Sequence, residues 1–235
     1  MEIIVHHHLG LGDHFICNGL VNHLCLQYEK VYLACKKHNF PTVDHLYSNN
    51  NQVEVFKIEQ EPQDIFDFSQ TKNVPILHVG FQHCDLKSFE SSFYKQLGLD
   101  PAIQYSGFKL PTNQDKSWDL YKQVVNQLGD KYIFVHDHSS QQHFPLQIQS
   151  QLPKYIVEKS QTDNVLDYVH VMRQAQEIHV INSSIQALVW PLLMQGYLSN
   201  MIYFHDFSSV YQSQSIPIRV PQHPLVNVVK YNIKI

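Results

Sequence analysis

The stretch from Glu2 to Leu26, EIIVHHHLGLGDHFICNGLVNHLCL, constrains the chain more than any other. A β-branched run, Ile3-Ile4-Val5, leads into three histidines, then a turn with Gly10 and Gly12, then Asp13. Apolar residues recur afterwards at Phe15, Ile16, Leu20, Leu24 and Leu26, the spacing of a half-buried helix. A strand, a glycine turn and a helix start commonly cradle an anionic ligand, because the first helical N–H groups have no internal partner. Asp13 alters that expectation. A carboxylate there would repel a phosphate, yet it is well placed to take a proton or to cap the helix.

Beyond this stretch, strands and helices alternate. Strands are expected at 31–35, 53–58 and 76–79, with helices at 41–47, 62–68 and 86–97. Residues 101–112 carry Gly107 and two prolines without clear periodicity and are read as a linker. The pattern then resumes: helices at 117–128, 165–174 and 184–194, and strands at 132–135, 155–157, 178–181 and 201–204, with 216–220 as a candidate last strand. Such alternation implies parallel sheets covered on both faces. The expectation is an α/β protein of two Rossmann-like domains, 1–110 and 111–235, facing across a cleft at the carboxyl ends of their strands.

The composition narrows the function classes. The chain has 235 residues, a net charge of −4 and 17 Lys and Arg with no basic cluster, which argues against non-specific nucleic-acid binding. Only Arg173 and Arg219 offer bidentate phosphate clamps. No apolar run reaches the roughly eighteen residues of a membrane span, and Met1 leads directly into a strand, so a cytoplasmic protein without a transmembrane segment is expected. Cys17, Cys25, Cys35 and Cys84 form no CxxC pair and are read as reduced thiols.

Three polar turns at strand ends are candidate sites. Gly10-Leu11-Gly12-Asp13 is the first; it is not a dinucleotide fingerprint, since Phe15 stands where GxGxxG needs glycine. His136-Asp137-His138-Ser139-Ser140 follows a strand and offers hydroxyls and imidazoles to a phosphate or sugar. Asn182-Ser183-Ser184 opens a helix and suits a diphosphate, although capping alone would account for these residues. His6, His7, His8, Asp13, His14, His136 and His138 could instead ligate a metal. Successive strand residues point to opposite faces, however, so no metal is expected.

The LGLGD turn resembles the N-terminal motif of GT-B glycosyltransferases, particularly the heptosyltransferase-like (family 9) group. The INSS turn at 181–184 is similar to that group's diphosphate-binding turn. The FVHDHSS segment resembles the first strand and loop of its C-terminal domain, with some fucosyltransferase-like features. The resemblance implies an inverting, metal-independent transfer from a nucleotide-sugar to a glycan or other hydroxyl acceptor, with no cofactor besides the donor. Asp13 would be the general base, aided by His14 or His8. Gly10, Gly12, His136, His138, Ser139, Ser140, Asn182, Ser183 and Ser184 would hold the donor. The sequence departs from the group in lacking Lys or Arg between Ser139 and His143. Two other classes stay open: a metal-dependent phosphoesterase using the histidines, and a non-catalytic sugar- or nucleotide-binding module.

Overall fold

The computed structural model describes residues 1–139, 142–158, 160–211 and 220–231. Ser140, Arg219 and all but the last residue of the candidate strand at 216–220 lie outside the described residues. The chain divides into two units, Met1–Asn113 and Gln114–Ile235.

The first unit contains β1 (Glu2–His6), α1 (Leu11–Ile16), α2 (Asn18–Leu24), β2 (Lys30–Lys36), α3 (Phe40–Leu46), β3 (Val53–Ile58), α4 (Gln63–Lys72), β4 (Ile76–His78), α5 (Phe89–Lys95) and α6 (Ile103–Ser106). Its sheet runs β3-β2-β1-β4, with every neighbouring pair parallel. The two inner strands are buried along most of their length, which is why they read as continuous apolar runs. Edge strand β3 is mostly half-exposed and correspondingly mixed. Ile4, Tyr32, Ala34, Ile58 and Ile65 form a core cluster with Leu9 and Val74.

The long helix expected after Asp13 is broken at Cys17. The cause is the Tyr94 hydroxyl, which donates to Ile16 O at 2.6 Å and accepts from Leu20 N at 3.2 Å. Those two backbone groups would otherwise bond each other, so an inserted side chain bends the ladder. Beyond the bend, α2 packs hard against α6: a Cβ on Gly19 would stand 2.2 Å from Ile103 O. Helix α6 itself falls in the stretch read as linker. Its neighbourhood is held by polar groups rather than periodic apolar ones. Buried Asn18 Oδ1 accepts from Lys109 N at 2.8 Å, and Asn22 Nδ2 donates to Gly107 O at 3.2 Å.

The second unit contains α7 (Asp115–Leu128), β5 (Ile133–His136), β6 (Lys154–Ile156), α8 (Val169–Gln174), β7 (Glu177–Ile181), α9 (Ser184–Met194), β8 (Met201–Asp206) and β9 (Val226–Lys230). Its sheet runs β6-β5-β7-β8-β9, again parallel throughout. Strand β9 was not expected from the sequence. It is a half-exposed edge strand whose residues, VNVVK, lack strict alternation. Helix α9 is buried from Ile185 to Leu193, so it belongs to the core.

Candidate functional site

In the first unit, β1 delivers the chain to Gly10, whose extended backbone (φ −69°, ψ 148°) precedes α1. The Gly10 carbonyl accepts from Asp13 N at 3.1 Å and from His14 N at 3.3 Å, closing the turn. The Asp13 carboxylate accepts in return from the Gly10 N–H. This tight return explains the glycine: a Cβ at position 10 would lie 2.6 Å from Asp13 Oδ2. Loss of surrounding water pushes the Asp13 carboxyl up to about 7, against the opposing effect of the Gly10 N–H. Negative Glu90 raises it further and Lys36 lowers it. Gly12 lies in the first turn of α1 and shares this neighbourhood.

His14 takes a different place from the one expected. It is fully buried, neither ring nitrogen has a partner, and it packs edge-on against buried His7 at 4.5 Å. Burial holds its pKa well below the ordinary histidine value, so it is neutral and out of reach of a substrate. His8 is likewise occupied: its Nε2 accepts from Phe81 N at 2.8 Å, which makes it an acceptor held within the fold.

In the second unit, β5 and β7 are neighbours, and the turns that follow them meet. Ser183 caps α9, its Oγ accepting from Gln186 N at 3.3 Å, and lies 3.1 Å from His136 Nδ1. The hydroxyl keeps its hydrogen and a second lone pair for His136, so the contact ties the two turns together in either imidazole tautomer. Burial drops the His136 pKa to about 3, with the nearby His138 lowering it further, and the ring is neutral. Asn182 and Ser184 flank the cap and are half-buried.

Asp137 organises the rest of the β5 turn. Its Oδ1 lies 2.9 Å from His138 Nδ1 and its Oδ2 lies 3.0 Å from His143 Nε2. Ser139 closes the loop, its N–H donating to Gln142 O at 2.8 Å and its hydroxyl accepting from Gln142 N at 3.3 Å. The structure therefore brings together His136, His138, Ser139 and Ser183 in one unit, and Gly10, Gly12 and Asp13 in the other. Asp137 and His143 were absent from the sequence-derived site, although both lie in or beside the polar turn already singled out. Glu90 and Lys36 were also missed. Lys36 could have been found as the last residue of a strand ending near the turn; Glu90, far along the chain on a helix, left no signal. Among the described residues, no three His, Cys, Asp or Glu side chains converge as metal ligands.

No family model and no curated protein matches the chain. Solved structures do. A glycosyl transferase family 9 protein from Veillonella parvula superposes with a TM-score of 0.58 at 9% identity, covering 97% of this chain and 86% of that one. The iron-containing dodecameric glycosyltransferase TibC from enterotoxigenic E. coli gives a TM-score of 0.54 at 14% identity, with 96% of this chain covering 61% of TibC. A second TibC structure, a complex with ADP-D-β-D-heptose, gives 0.51 at 13% identity. These likenesses establish the fold: two parallel α/β units of the kind seen in family 9 glycosyltransferases.

Proposed function

We propose that the chain is a glycosyltransferase of the GT-B kind, moving a sugar from a nucleotide-sugar donor to an acceptor hydroxyl. The observation that carries this reading is Asp13, a carboxyl raised to about 7 and aimed by the Gly10 N–H. A general base works best when its pKa lies near the working pH. The family 9 fold and the ADP-heptose complex of TibC support a nucleotide-sugar as its substrate.

In this reading the acceptor oxygen attacks the anomeric carbon as its proton passes to Asp13. The bond from that carbon to the nucleoside diphosphate breaks, and the diphosphate leaves with the electron pair. Attack from the face opposite the leaving group inverts the anomeric centre. The donor binds the second unit, with the diphosphate at the α9 start near Ser183 and Ser184, and His136, His138, Ser139 and Asn182 beside it. Helix N–H groups and neutral imidazole take the place of Lys and Arg. Asp13 contacts the acceptor, and His14, buried against His7, does not. Transfer needs no metal and persists in chelator. Among the described residues no helix is long and apolar enough to cross a membrane, and a cytoplasmic location belongs to the same proposal.

The test begins with a thermal-shift screen against ADP-, UDP-, GDP- and CMP-sugars, ADP-heptose first. A true donor at a hundredfold excess over Kd stabilises by about 2.7 kcal/mol. With that donor, Asp13→Ala loses transfer by roughly 10²–10⁴-fold while its donor Kd stays that of the wild type. Undiminished transfer by the variant overturns the assignment of the base. Absence of stabilisation by every nucleotide-sugar overturns the donor class.

A further inference from the structure

A chain of hydrogen bonds crosses one face of the second sheet, where a core is ordinarily apolar. It starts at Glu177 on β7, whose Oε2 lies 3.0 Å from Nε2 of buried His179. His179 Nδ1 lies 3.0 Å from Nε2 of buried His205 on β8. His205 Nδ1 lies 2.8 Å from the hydroxyl of Tyr231, the residue after β9, and that oxygen accepts from Gln147 N at 2.7 Å. Tyr203 stacks on His179 with ring centroids 4.6 Å apart and fixes its plane. The two ends set the direction, because an ionised carboxylate only accepts and a backbone N–H only donates. Burial lowers the pKa of both imidazoles, that of His205 to about 3, so each ring is neutral and carries one hydrogen. His179 and His205 therefore each donate from Nε2 and accept at Nδ1, and the Tyr231 O–H donates to His205.

What this chain holds is the stem of the β5 loop. The Tyr231 ring stacks on Phe207 at 3.9 Å, and Phe207 packs against Phe144 at 5.2 Å. Phe144 N donates to Asp137 O at 2.6 Å, which closes the loop carrying His136, His138 and Ser139. Tyr231 thus grips the outgoing strand of that loop twice, at Phe144 through Phe207 and at Gln147 through its hydroxyl. Ile181, the residue before Asn182 and Ser183, lies in the same apolar cluster. Burying imidazoles where aliphatic side chains would fit costs free energy. A fully satisfied, one-directional chain offsets that cost and allows its last member a single position.

We propose that Tyr231 is a positioning residue for donor binding. Held by the Glu177–His179–His205 chain, it keeps the β5 loop in the form that receives the nucleotide-sugar, without touching the donor itself. The inference rests on the donor reading given above and adds to it three residues outside both polar turns.

The test compares the full chain as wild type, Tyr231→Phe and Glu177→Gln. Tyr231→Phe keeps the ring on Phe207 and removes only the hydroxyl; Glu177→Gln keeps an oxygen that accepts from His179. Imidazole nitrogen shifts of the wild type should place the hydrogen of His179 and of His205 on Nε2; a hydrogen on Nδ1 of either overturns the chain. Without donor, the Gln147 amide should exchange faster in Tyr231→Phe than in wild type. Calorimetry then uses the nucleotide-sugar that stabilises the wild type, ADP-heptose first. Donor Kd should weaken roughly tenfold in Tyr231→Phe, the order expected for one lost hydrogen bond that leaves its partners unpaired. At saturating donor kcat should hold, and Glu177→Gln should bind as the wild type does. Equal donor Kd in wild type and Tyr231→Phe overturns the proposal, even where Gln147 exchange accelerates, and reduces the chain to a packing device. A wild type that binds no nucleotide-sugar is a different failure: it removes the donor reading itself, and the positioning role with it.

Discussion

The turn after β1 and the turn after β7 share a plan and differ in chemistry. Each follows a buried parallel strand and opens a helix. At the first, no side chain caps α1, and the Gly10 N–H is given to the Asp13 carboxylate. At the second, the Ser183 hydroxyl caps α9 and reaches His136. Burial acts on both and drives their titratable groups in opposite directions, Asp13 up to about 7 and His136 down to about 3. At neutral pH the acid is poised to exchange a proton and the imidazole is fixed in one form. Under the proposed function, one plan would serve both a site that reacts and a site that only holds.

The contrast breaks most visibly if the carboxylate is removed, with the loss of transfer given above. Gly10→Ala comes next. The new methyl group would crowd Asp13 Oδ2 at 2.6 Å, and moving a catalytic group by about an ångström can cost on the order of 10²-fold in kcat. Donor Kd should hold, since position 10 is in the other unit; equal losses in kcat and in affinity would mean that the two turns are not independent.

The pH profile sharpens the same contrast. Asp13 must be ionised to accept a proton, so kcat should fall about tenfold per pH unit below pH 7 and level off above it. A break near the ordinary aspartate value of 3.8 would show that the carboxyl is solvated. Stability should move the other way. The folded pKa is raised, so the protonated carboxyl favours the folded state. That contribution is complete below pH 3.8 and is lost as pH rises through 7. Asp13→Asn escapes the loss and, with its partial exposure discounted, should be the more stable protein at pH 8 by on the order of 1–2 kcal/mol in urea unfolding. The smallest effect belongs to the second turn. Ser183→Ala removes a cap worth about 1 kcal/mol and frees His136, and donor Kd measured by calorimetry should weaken roughly tenfold with kcat nearly unchanged.

The alternation of strands and helices was legible because buried parallel strands must be apolar, and β1, β2, β5 and β7 are. The turns were legible for a related reason: glycine, aspartate and serine at strand ends have few other uses. What stayed hidden depended on residues distant in the chain. The break at Cys17 is made by Tyr94, and α6 is anchored by asparagines on α2, neither of which local periodicity can report. His14 looked like a neighbour to Asp13 by position, but the helix turns its ring inward against His7. Strand β9 escaped because an edge strand needs no apolar alternation when both its faces are partly wet.

The Tyr94 hydroxyl has a consequence for how the Asp13 turn can be handled in isolation. One phenolic oxygen replaces a missing backbone bond across seventy-eight positions of sequence, between Ile16 O and α5. The opening segment therefore owes its course to a helix synthesised long after it. Excised as a peptide, or grafted without α5, it would recover its uninterrupted spiral and carry its carboxylate in some other direction.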